Sequence, residues 1–95
     1  MNPLVFEWDS DKANRNLRAH GVSFDEASTV FGDPLSAMLV DHLHSETEQR
    51  LLLIGLSANG RLLLVVHSER DERIRLISAR RVTRREQNLY EQASS

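Results

Sequence analysis

The chain contains no cysteine, which excludes both a disulfide framework and a thiolate-ligated metal and leaves the fold to rest on packing alone. Long apolar runs are absent too. The longest, Leu62 to Val66, is far too short to span a bilayer, and Met1 to Trp8 lacks the basic and apolar regions of a signal peptide. No membrane partner is expected, and a cytoplasmic location fits. A third scarcity is local: Arg50 to Arg85 has no lysine, although it carries nine arginines against Glu69, Asp71 and Glu72.

The other side of that scarcity is a charge division. Met1 to Gln49 carries three basic residues and nine acidic ones, so a formal total of -2 hides an acidic first half and a basic second half. Guanidinium groups stay protonated and present a planar fork that matches two phosphate oxygens at once. An all-arginine segment therefore points to oriented phosphate recognition, the plainer reading being a solvated sheet surface.

Ninety-five residues with 40% apolar content make one domain, 1–95, with a single core. Pro3 to Glu7 reads as a short extended segment. Asp9 caps a helix running to His20 and stopped by Gly21, its polar surplus marking it as peripheral. Ser23 and Glu26 form a capping box for a second helix bearing Phe24, Ala27, Val30 and Phe31, which Gly32, Asp33 and Pro34 end. Four strands follow, over Ser36–His42, Glu48–Ser57, Arg61–Glu69 and Arg73–Arg80, with a tight turn at Asn59-Gly60 and a polar link at Arg70–Glu72. Leu51–Ile54 and Leu62–Val66 are continuously apolar, which predicts cover on both faces of the middle strands. Thr83 and Glu86 open a C-terminal helix through Leu89 and Tyr90. The order is β-α-α-β-β-β-β-α, an α+β layer with a mainly antiparallel sheet packed on helices.

The two-residue strand period puts Arg61, His67 and Glu69 on one face and Arg70 on the other or in the turn; in the last strand Ser78 and Arg80 share a face opposite Arg73 and Arg75. Metal-independent RNA cleavage needs a base for the 2'-hydroxyl proton, an acid for the leaving oxygen and cations for the charge growing on phosphorus. These residue types can fill those roles. His67 is either a catalytic group or a structural hydrogen-bonding histidine. Arg80, beside Arg81 and just before a helix N-terminus, is well placed for phosphate, whereas Arg84 and Arg85 read as solvated. His42 and His44 are two apart and make half a metal site with Glu46 or Glu48 as weak completing ligands, so no metal is expected. His20 reads as a helix C-terminal residue, and Phe6 and Trp8 as core or partner surface.

The stretches FEWDSDKANRN, HGVSFDEASTVFGDP, the D-x-x-HSE-x-E-x-R run from Asp41 to Arg50, IGLSANGRLLLVVHSER and IRLISARRVTRRE followed by Tyr90-Glu91 resemble the BrnT toxins of bacterial type II toxin-antitoxin systems. The resemblance covers nearly the whole chain in order. It implies a fold similar to the RelE-type ribonuclease toxins, a growth-arresting endoribonuclease activity, and neutralisation by a ribbon-helix-helix antitoxin through which alone the complex meets DNA. It also implies RNA-site positions at His67, Glu69 and Arg70 in HSER and at Arg80 and Arg81 in SARR, with Lys12 and Arg50 as further contacts. One departure is Ala19, where the family often has a basic residue.

The expectation is thus a cofactor-free, metal-independent endoribonuclease in which His67 or Glu69 transfers protons, Arg70 and Arg80 stabilise the phosphorane, and Arg81, Arg50 and Lys12 bind RNA. The alternative is a non-catalytic module that docks an antitoxin and serves transcriptional autoregulation. A metal hydrolase built on His42 and His44 is the third.

Overall fold

The computed structural model describes residues 3–93. Its elements are β1 (Val5–Glu7), α1 (Ser10–His20), α2 (Phe24–Thr29), a 3-10 turn (Val30–Gly32), β2 (Ala37–Asp41), β3 (Arg50–Leu56), β4 (Leu62–Arg70), β5 (Arg73–Arg81) and α3 (Arg84–Ala93). The five strands form one sheet in the order β1-β5-β4-β3-β2. All pairings are antiparallel except that of β1 with β5, which is parallel. The mixed α+β architecture and the mainly antiparallel sheet thus match the expectation, and the parallel N-terminal strand adds to it. No helix among the described residues is long and apolar enough to cross a membrane.

Local chemistry explains the boundaries. The Asp9 carboxylate accepts from the Asp11 amide, and Gly21 ends α1 in the left-handed region at φ 68°. Ser23 Oγ accepts from the Glu26 amide at 3.0 Å, the N-cap half of the expected capping box, while the Glu26 carboxylate turns instead to Arg61 and Ser57. The β3–β4 hairpin turns at Asn59-Gly60, with the Gly60 amide donating to Ser57 O and Gly60 at φ 77°. The β4–β5 turn is tighter and less comfortable. Asp71 and Glu72 both sit at positive φ, 52° and 64°, the geometry of a type I' turn that favours glycine at its second position.

The middle strands β3 and β4 carry apolar cover on both faces, as their continuous apolar runs predict. Leu53, Leu63, Val65, Ile74, Leu76 and Ala79 pack against Val22, Phe24, Ala27 and Val30 from α2 and its flanks. On the opposite face Ile54 and Leu64 meet Tyr90 of α3, with Leu52, Leu62, Val66 and Val82 around them. Each fully buried aliphatic chain contributes roughly 1.5–3 kcal/mol. The 3-10 turn lies so close to β3 that a Cβ at Gly55 would stand 3.0 Å from Val30 Cγ1.

β1 stops at Glu7, which leaves the second half of β5 paired with β4 on one edge and without a strand on the other. Asn16 of α1 takes its place. Its Nδ2 donates to Ala79 O at 2.8 Å and to Val22 O at 2.9 Å, while its Oδ1 accepts from the Ala79 amide at 3.0 Å. A side-chain amide thus completes the β5 ladder and docks α1 on the sheet edge, satisfying backbone groups that are costly to bury unpaired.

A second polar knot closes the other end. Arg61 Nε donates to Glu26 Oε2 at 2.9 Å, its Nη2 bonds Glu26 Oε1, and Ser57 Oγ donates to Glu26 Oε2 at 2.7 Å. The Arg61 guanidinium also reaches Gly21 O at 3.0 Å. One ion pair therefore ties α1, α2 and the β3–β4 hairpin together. The Arg61 hydrogen bond outweighs burial and holds the Glu26 carboxyl at about 2. Because the folded value lies below the unfolded one, this stabilisation is present above about pH 4.5 and fades as pH falls towards 2.

Two outcomes follow from this arrangement. Glu26→Gln lowers unfolding free energy by about 2 kcal/mol at neutral pH, a figure already reduced for the partial exposure of Arg61; denaturant titrations at pH 7 and pH 2.5 will find the gap between variant and parent mostly closed at the lower pH. Glu72→Gly raises stability by roughly 0.5–1 kcal/mol by relieving the left-handed backbone, measurable as a shifted denaturation midpoint with an unchanged slope.

Candidate RNA-binding cleft

The arginines do not spread as simple strand alternation predicts, and a β-bulge is the reason. β4 and β5 pair as Val66–Ser78 and then His67–Leu76, so Ile77 is an extra residue in β5. The insertion resets the alternation. Ser78 and Arg80 therefore join Arg73 and Arg75 on one face, correcting the expectation that the two pairs oppose each other. On that same face lie Ser68 and Arg70 of β4 and Arg50 of β3.

A cross-strand row results. Glu7 is opposite Arg75, Arg75 opposite Ser68, and Asp41 opposite Arg50; Arg50 stands one step beyond the Leu51–His67 pair, which brings it level with Ser68. Above this row is a cleft of about 400 Å³ lined by Lys12, His44, Arg50, Arg70, Arg75 and Ile77, with Glu46, Thr47 and Glu48 closing one side. The bulge residue Ile77 forms part of the wall, and α1, held by Asn16, brings Lys12 over it. Among the described residues Lys12, Arg50 and Arg75 make no side-chain hydrogen bond or ion pair. Three elements thus bring three cations that lack a side-chain hydrogen bond or ion pair to one concavity, where Glu46 and Glu48 offset part of their charge.

Arg70 is committed within the cleft. Its Nε donates to Glu48 Oε2 at 2.8 Å and its Nη2 to the same oxygen at 2.5 Å. The Ser68 hydroxyl beside it and the Arg70 guanidinium hold the Glu48 carboxyl below the ordinary carboxylate range. At the rim His44 Nδ1 lies 2.9 Å from Asp41 Oδ2. An ionised carboxylate only accepts, so Nδ1 carries a proton, which fixes Nε2 as the acceptor nitrogen whenever the ring is neutral. The hydrogen bond to His44 and those from the Leu43 and His44 amides outweigh desolvation and keep Asp41 ionised below its usual value.

Of the residues singled out in the sequence, Lys12, Arg50 and Arg70 are brought together here. The others are elsewhere. His67 is on the opposite face, 0% exposed, with its ring 4.8 Å from that of Phe31 and its Nδ1 3.4 Å from Val65 O. Burial lowers its pKa, so it is a neutral core imidazole with Nε2 unpartnered among the described residues. Glu69 shares that face but is exposed at its end, and Arg81 is exposed where β5 finishes. Arg80 is on the cleft's side of the sheet but grips Glu86 with two bonds of 2.8 Å, and Glu86 Oε1 also accepts from the Thr83 amide. That pair anchors α3, and the Arg80 hydrogen bond holds Glu86 below its usual value. His42 and His44 fall after β2 ends at Asp41, so they are not paired along a strand.

Sequence reasoning missed Arg75 and His44 as members of one cleft. The signal for Arg75 was hidden by the bulge, which strand periodicity cannot reveal. For His44 a signal existed: the Asp41-x-x-His44 spacing is a loop in which a carboxylate reaches an imidazole three residues on.

Among curated proteins, none matches the chain. A family model described as the ribonuclease toxin BrnT of a type II toxin-antitoxin system matches residues 8–86, a span that includes Lys12, the arginine row, His44 and both polar knots. The chain belongs to the BrnT family of type II toxin-antitoxin ribonuclease toxins.

Proposed function

We propose that this protein is a metal-independent endoribonuclease of the cytoplasm whose cleft between α1 and the bulged sheet face binds the RNA backbone. The observation that carries the reading is the convergence of Lys12, Arg50 and Arg75, none of them in a side-chain hydrogen bond or ion pair among the described residues, on a concavity that also holds an oriented imidazole. Phosphate contacts position the strand, and the arginine forks offer paired donors to its non-bridging oxygens.

In this reading His44 Nε2 takes the proton of a ribose 2'-hydroxyl. The freed oxygen attacks the adjacent phosphorus, the 5'-oxygen of the next nucleotide leaves with a proton from solvent or the returning imidazolium, and a 2',3'-cyclic phosphate remains. Arg50, Arg75 and Lys12 stabilise the charge that builds on the phosphorane oxygens. Asp41 keeps the imidazole in the required tautomer. The cleft supplies its positive charge from side chains, so a divalent ion has no step to perform. His67 takes a packing role here and Arg80 a helix-anchoring one, because burial and the Glu86 clamp respectively remove them from the strand's path. A RelE-like ancestry of the sheet and a ribbon-helix-helix antitoxin as the neutralising partner are in keeping with the family.

Arg50→Ala with Arg75→Ala reduces cleavage of naked RNA by at least about a hundredfold, the loss of two stabilising cations, while the protein stays folded; parental cleavage in EDTA leaving 2',3'-cyclic ends is the companion result. Intact RNA in the parent assay, with antitoxin still bound, identifies a binding module instead. Arg80→Ala lowers stability by roughly 1 kcal/mol through loss of the Glu86 clamp but retains cleavage within a fewfold at a temperature where it is folded. Loss of cleavage in that folded variant moves Arg80 into the site.

A further inference from the structure

The centre of the arginine row is not empty. Glu48 belongs to the irregular segment between β2 and β3 and folds back so that its carboxylate meets Arg70 through two donors of one guanidinium. Ser68, level with Arg50 on one side and Arg75 on the other, is 0% exposed, and its hydroxyl has no hydrogen bond of normal geometry although it lies next to the Glu48 carboxylate. A forked guanidinium, a buried hydroxyl and two flanking cations form the donor set that a phosphate takes. A carboxylate is the protein group that most nearly reproduces half of a phosphodiester: planar, anionic and acceptor only.

We infer that Glu48 is a built-in stand-in for an RNA phosphate, occupying the seat formed by Arg70, Ser68, Arg50 and Arg75, and that an incoming phosphodiester displaces it and inherits Arg70. This rests on the cleft being the RNA site and adds how that site is kept filled beforehand. Two features suit displacement. The side chains of Arg70 and Glu48 are 57% and 31% exposed, so the pair is wetted and readily exchanged, and Glu48 is carried by the loop before β3, not by a strand interior. The neighbouring Glu46 lines the same cleft but accepts no bond from Arg70, which makes it the natural comparison: its removal changes net charge by the same amount.

The test is equilibrium binding of a single-stranded 2'-O-methyl oligoribonucleotide, which cannot be cleaved, and separately of inorganic phosphate, to the parent, Glu48→Gln, Glu48→Ala, Glu46→Gln and the Arg50/Arg75 double alanine variant. Both Glu48 variants bind the oligonucleotide about fivefold more tightly than the parent, the scale of one exposed ion pair, and Glu46→Gln changes affinity by less than about twofold. Equal tightening in Glu48→Gln and Glu46→Gln reduces the effect to net charge and overturns the inference, as does weaker binding in the Glu48 variants. Tightening for phosphate alone makes the seat one for free anions and overturns its assignment to RNA. Parental affinity in the double alanine variant defeats the cleft reading itself, a result separable from any of these.

Discussion

The extra residue at Ile77 is the constraint on which the functional face depends. Strand alternation alone divides the basic side chains of β5 between two sides of the sheet, where one set is buried against α2 or forces the core open. The bulge shifts the phase once, between Leu76 and Ser78. Leu76 and Ala79 can then both enter the core while Arg73, Arg75, Ser78 and Arg80 all leave it on the other side. A one-residue irregularity thus lets β5 keep Ile74, Leu76 and Ala79 in the core on one face and its basic residues from Arg73 to Arg80 on the other.

Folding also resolves the charge division along the chain. Carboxylates from the acidic first half meet arginines of the basic second half: Glu7 with Arg73, Glu26 with Arg61, Glu48 with Arg70. These long-range pairs differ in weight. Glu26–Arg61 is largely sheltered and shares its carboxylate with Ser57, so it stabilises the join of three elements; Glu7–Arg73, at 3.9 Å and well exposed, contributes little. Of the cations that the pairing leaves without a side-chain hydrogen bond or ion pair among the described residues, Lys12, Arg50 and Arg75 are gathered in one place. The overall charge of -2 says nothing of that local field.

Much of this was legible in the residues themselves. Ser23 with Glu26, Thr83 with Glu86, Gly21 and Asn59-Gly60 carry their own local geometry, so caps and turns follow from short-range chemistry. The unbroken apolar runs of β3 and β4 announced cover on both faces. Other features depend on distant partners and left no local trace. The parallel pairing of β1 is set by where α1 returns the chain, and Asn16 looked like any polar helix residue until Ala79 came beside it. His67 read as chemistry because it stands among charged neighbours in HSER, yet the strand period that was correctly assigned to it also sends it beneath Phe31. Its face was right, and the cover announced for Leu62–Val66 extends one residue further along β4 because the 3-10 turn carrying Phe31 packs there.

The scarcity of lysine has a consequence of its own once the fold is known. Lys12 is the chain's sole lysine, and α1 suspends it over the arginine row. Apart from the terminal amine, reagents that acylate amines therefore have one target, at the mouth of the cleft. A dye attached there sits beside the cations it reports on, so its emission becomes a gauge of whether the concavity is occupied, obtained without engineering a single new attachment point.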